Sequence, residues 1–127
     1  MAVRFNHTIV SSRDDEVSAR YLAELLGLDA PVSFGAFQVL ELDNDLSLDF
    51  ETTSDEITAQ HYAFLVSETE FDEIFARIVY GGGKYWADPF ARHDGDINTN
   101  DGGRGVYFPD PDGHLLEILT RPYGSGS

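Results

Sequence analysis

The chain of 127 residues is long enough for one domain with its own core and short for two. It contains no cysteine, so disulfides and thiolate chemistry are excluded. A formal charge of −15, with Lys84 the only lysine, argues against nucleic-acid binding, which needs cations to neutralise phosphates. The same charge keeps a surface solvated and would draw in a cationic ligand. Neither an N-terminal apolar segment of the signal-peptide kind nor an apolar run of membrane-spanning length is present. The expectation is a soluble, cytoplasmic protein with no membrane partner.

Val3 to Val10 is a β-branched and aromatic run that reads as a strand and carries His7. Ser11, Ser12 and the acidic Asp14, Asp15 and Glu16 then introduce a helix with Val17, Tyr21, Leu22, Leu25 and Leu26 at helical spacing, stopped by Gly27. Pro31 to Phe34 reads as a short strand and Phe37 to Leu42 as a clearer one. Asp43-Asn44-Asp45 turns the chain into Leu46 to Glu51.

After a polar linker, His61 opens a second strand, His61 to Val66. Ser67 to Glu70 caps a helix bearing Phe71, Ile74, Phe75 and Ile78, which ends at Gly81-Gly82-Gly83. Lys84 to Trp86 is the expected next strand. Ala87 to Arg104 is a long polar loop, a length usually associated with lids or mobile segments. Gly105 to Leu119 reads as strand, Asp-Pro-Asp-Gly turn and strand, with Gly113 supplying the positive φ that closes the turn. Module one thus spans about 3–51 and module two about 61–121, in one domain over 1–123. Gly124 to Ser127 is expected to be a disordered tail.

Glu117 alternates with Leu115 and Leu119, so all three should share one sheet face. A carboxylate among apolar side chains is costly unless paired or bound to a metal. That makes Glu117 a ligand candidate, and the strand-borne His7 and His61 are its candidate partners. His114 is expected at the surface edge of the turn.

Asn6-His7-Thr8, His61-Tyr62-Ala63-Phe64 and the run from Tyr107 to Glu117 together resemble the vicinal oxygen chelate superfamily. That group holds glyoxalases, extradiol dioxygenases, bleomycin-resistance proteins and fosfomycin-modifying enzymes. The resemblance implies an α+β fold of two βαβββ modules forming a curved open barrel around a metal and substrate pocket, commonly in a homodimer. His7, His61 and Glu117 match the superfamily's metal ligands, for a divalent ion such as Fe, Mn, Ni, Co or Zn. Asp49 lies near the position of a fourth ligand and is otherwise a pocket residue.

Tyr107 resembles the tyrosine preceding the ligand in extradiol enzymes and is the catalytic candidate, as a proton donor to a bound oxygen. The histidine those enzymes carry a few residues upstream is replaced by Asn98-Thr99-Asn100. Trp86 and Arg104 are the substrate-binding candidates. The functional expectation is a metal-dependent enzyme acting on a small organic substrate chelated through adjacent oxygens: a dioxygenase, a lyase or isomerase, or a thiol transferase. The alternative is a bleomycin-resistance-like protein that sequesters a cationic small molecule without catalysis. Members of that kind do not use the triad, so its presence favours an enzyme.

Overall fold

The computed structural model describes residues 2–126, so Met1 and Ser127 lie outside the described residues. The fold is α+β and divides into two compact units, Met1–Thr58 and Ala59–Ser127.

In module one, β1 (His7–Ser12) leads into α1 (Asp15–Leu26), followed by β2 (Val32–Phe34), β3 (Phe37–Glu41) and β4 (Ser47–Thr52). The sheet order is β1-β4-β3-β2, with β1 and β4 parallel and the other pairs antiparallel. Asp14 is the N-cap, its carboxylate accepting from the Val17 amide, and Gly27 closes the helix in the left-handed conformation. The helix presents Ser18, Ala19, Leu22, Ala23 and Leu25 to the core, whereas Val17 stays 53% exposed. Small residues therefore let the helix lie close to the sheet, and the buried stripe is rotated from the one read off the large apolar side chains. Val10, Leu40, Leu48 and Phe50 are buried across the strands. Each such side chain removed from water contributes on the order of 1.5–3 kcal/mol.

Module two repeats the opening: β5 (His61–Leu65) and α2 (Glu68–Tyr80), then β6 (Gly105–Pro109) and β7 (Leu115–Leu119) in the order β5-β7-β6. β5 and β7 are parallel, β6 and β7 antiparallel. Ser67 and Glu70 form a reciprocal capping box at the start of α2. Phe71, Ile74 and Ile78 on the helix and Val106, Phe108, Leu116 and Ile118 on the sheet are buried.

The strand expected over Lys84 to Trp86 shrinks to single bridges, Trp86 pairing with Tyr107 and with Asp94. Gly81 to Gly83 precede it, Gly81 as the C-cap of α2. The long loop beyond is pinned rather than free. Asp88 accepts from the amides of Phe90, Arg92 and His93, and Asn98 donates to the Ala87 carbonyl. A Cβ on Gly105 would stand 2.9 Å from Asn98 Oδ1, so a larger residue there would displace the Asn98 side chain. Among the described residues, no helix is long and apolar enough to cross a membrane.

Candidate metal and substrate site

Side chains on the odd-numbered positions of the module-two sheet face away from the buried set. The register places Tyr107 opposite Glu117, Glu117 opposite Ala63, and Trp86 opposite Tyr107. One row therefore crosses the sheet as Trp86, Tyr107, Glu117 and Ala63, with His61 two residues back along β5.

Glu117 is buried, 1% exposed, and both carboxylate oxygens are engaged. Oε1 lies 3.0 Å from His61 Nε2, and Oε2 accepts from the Tyr123 hydroxyl. The other nitrogen of His61, Nδ1, lies 3.0 Å from the Leu115 carbonyl oxygen, which can only accept. Nδ1 therefore carries the proton, and in the neutral ring Nε2 turns a lone pair toward Glu117. Two lone pairs facing one another need a proton or a cation between them. Two donors at right angles around an ion, each at about 2.1 Å, stand about 3.0 Å apart. The observed 3.0 Å matches that edge, so this pair fits a divalent metal.

The remaining candidates fall at defined places. His7 opens β1 in module one, exposed, with Nδ1 2.7 Å from Asn6 Oδ1; that partner again leaves Nε2 as the lone-pair nitrogen. Asp49 lies on the face of β4 turned away from α1, opposite Ile9, and accepts from Ser47 Oγ at 2.8 Å. Among the described residues, no group of three or more His, Cys, Asp or Glu is assembled around one point. Within module two, His61 and Glu117 are brought together.

Tyr107 is buried and stacks on His61 at 5.8 Å between ring centroids. Its hydroxyl is hydrogen-bonded to that of Tyr123. Burial pushes both phenols above their ordinary pKa, and the Glu117 carboxylate raises Tyr123 further, so both remain donors at neutral pH.

Arg104, expected to contact substrate, turns the other way. Its guanidinium pairs with Glu68 and Asp72 of α2, each at 2.8 Å, and sits 4.4 Å over the Phe71 ring. The parity that sends Tyr107 to the site sends Arg104 to the helix. His114, expected at the surface, is 1% exposed. Its Nδ1 accepts the Gln60 amide at 3.0 Å and its ring meets Tyr62 edge-on, tying the turn to the start of β5.

Tyr123 is the residue that sequence reasoning missed. It follows Pro122 after the last strand and carries no motif. Only its position six residues beyond the buried glutamate offered a hint.

Residues 4–118 match the family described as Glyoxalase/Bleomycin resistance protein/Dioxygenase superfamily. The solved structure of "Oxidase ChaP-H1" is 63% identical, with a TM-score of 0.95, over 97% of this chain and 99% of that one. "Glutathione transferase FosA" of Serratia marcescens is 28% identical over 93% of this chain and 81% of that protein. "Metallothiol transferase FosB" of Shouchella clausii (strain KSM-K16) is 37% identical over 60 residues, 47% of this chain and 37% of that protein's length.

Proposed function

Because the chain belongs to the Glyoxalase/Bleomycin resistance protein/Dioxygenase superfamily, we propose that it is a metal-dependent oxidase acting on a small organic substrate held through adjacent oxygen atoms. The observation that carries this reading is the paired lone-pair edge of His61 Nε2 and Glu117 Oε1 beside Tyr107 and Trp86. We assign His7, His61 and Glu117 as the ligands, and Asp49 as a fourth ligand or pocket residue. Iron, manganese, nickel, cobalt and zinc all suit two imidazoles and a carboxylate. A metal bound there supplies a Lewis acid with positions open to substrate oxygens.

The chain's own groups do the rest. The Leu115 carbonyl fixes the tautomer of His61. Tyr107 serves as proton donor to a substrate oxygen only when that oxygen takes the place of Tyr123 as the acceptor of its hydroxyl, and Trp86 extends the aromatic row along which a planar substrate would lie. Oxidation is preferred to thiol transfer on two grounds. Identity to the oxidase spans nearly the whole chain. Arg104, a cation that could have helped hold a phosphonate, is engaged by Glu68 and Asp72.

A homodimer belongs to the same reading. Ile9, Val32 and Phe34 share the face of the module-one sheet turned away from α1 and are 50%, 66% and 74% exposed. Apolar side chains clustered on one sheet face mark an interaction surface. A second copy of the chain is the partner we propose to cover them.

The second reading, sequestration of a cationic small molecule, draws on the charge of −15. Chelation separates the two. Oxygen uptake would be followed over a panel of small compounds bearing adjacent oxygens, with protein reconstituted in turn with each metal. Consumption that stops on chelation supports the oxidase. Tight binding of a cationic compound that survives chelation, with no oxygen uptake by any metal form, would replace it.

A further inference from the structure

Glu117 has two oxygens, and a buried carboxylate free to turn could offer one or both to an ion. In this chain the second oxygen is occupied. The Tyr123 hydroxyl donates to Oε2, while Oε1 faces His61 Nε2. Tyr123 has one proton and uses it on Glu117, so Tyr107 must be the donor in the contact between the two phenols. A directed chain follows, from the Tyr107 hydroxyl to Tyr123 to Glu117 Oε2.

The backbone that carries Tyr123 is itself fastened. Asp101 Oδ1 accepts the amides of Gly124 at 3.1 Å and Gly126 at 3.2 Å. Arg121 donates to the Ser125 carbonyl at 3.0 Å. Tyr123 is thus delivered to the carboxylate by a segment tied down on both sides of it in sequence, at Arg121 and at Gly124 and Gly126.

Resting on the metal reading above, we infer that Tyr123 is a positioning residue that holds Glu117 so that Oε1 alone is presented to the metal. The C-terminal segment is then part of the site, because Asp101 sets where the phenol stands. Partners that orient a ligand without touching the ion typically change metal affinity by about 10- to 100-fold. The acting group here is a single hydroxyl, so the phenylalanine variant keeps the ring and removes only the hydrogen bond.

The test is calorimetric titration of the metal-free full chain with Co²⁺ alone, alongside the visible spectrum of the bound ion and a thermal melt. Tyr123→Phe should weaken Co²⁺ binding by about tenfold or more and alter the spectrum. Asp101→Ala should weaken it in the same direction by less, and Tyr107→Phe by least. The melt shows whether each variant is folded; if Tyr123→Phe is not, Asp101→Ala decides. A folded Tyr123→Phe protein with unchanged affinity or an unchanged spectrum overturns the inference and leaves the metal reading standing. A wild-type chain that takes up no Co²⁺ sinks both.

Discussion

In module one, His7 opens β1 opposite Ser47, and Asp49 lies two residues further along β4. In module two, His61 opens β5 opposite Leu115, and Glu117 lies two residues further along β7. Both acids sit in the strand parallel to the histidine strand, on the histidine's face, opposite the central residue of the neighbouring antiparallel strand: Val39 in one, Tyr107 in the other. The outcomes differ by one methylene and its surroundings. Glu117 reaches the imidazole at 3.0 Å and is buried beneath Tyr107 and Tyr123. Asp49 is half-buried and takes the hydroxyl of Ser47 instead. The same backbone cell therefore yields a candidate ligand pair in one module and a locally satisfied polar pair in the other. Side-chain length and cover decide which.

If the modules differ at the site and not in the core, truncation of one buried strand aromatic in each should cost alike. Phe108→Ala and Phe50→Ala are each expected to lose about 3–5 kcal/mol by chemical denaturation. A large disparity would show that one module carries the fold. At the site the expectation is asymmetry. Glu117→Ala should weaken divalent-metal binding by more than the roughly 100-fold upper end seen for indirect partners. Shortening the reach with Glu117→Asp should cost about tenfold or more, comparable to losing an orienting partner. Asp49→Ala should change affinity by less than either. Equal losses at Asp49 and Glu117 would break the comparison and make Asp49 a full ligand. The smallest effect is expected far from the site. Ser67→Ala removes the α2 cap and should cost about 1 kcal/mol, with metal affinity unchanged.

Much of this was legible in the chain. Strand parity around Glu117 and the placing of both histidines on strands are local properties that periodicity reports directly. β1 itself begins at His7 and runs to Ser12, where the sequence suggests a strand from Val3 to Val10. The turn at Asp110 to Gly113 was legible because its residues act on their own backbone. The Gly113 amide donates to the Asp110 carbonyl, and Asp110 Oδ1 accepts the His114 amide. Other features depend on tertiary contacts that no local pattern encodes. His114 reads as a surface turn residue until the Gln60 amide, distant in sequence, is brought to its ring. The direction of Arg104, one residue before β6, continues the alternation of that strand, but only the acids of α2 make that direction a salt bridge. The long loop reads as a lid or mobile segment because of its length. Its Asp88 and Asn98 turned out to be the side chains that pin it.

The central claim is that His7, His61 and Glu117 together hold one divalent metal. The most direct measurement is metal content by elemental mass spectrometry after reconstitution, on the wild type and on His7→Ala, His61→Ala and Glu117→Ala separately. Near-stoichiometric metal in the wild type, lost in all three variants, is the predicted result. Retention of full metal content in any one of them, or a wild type that takes up none, would contradict the assignment.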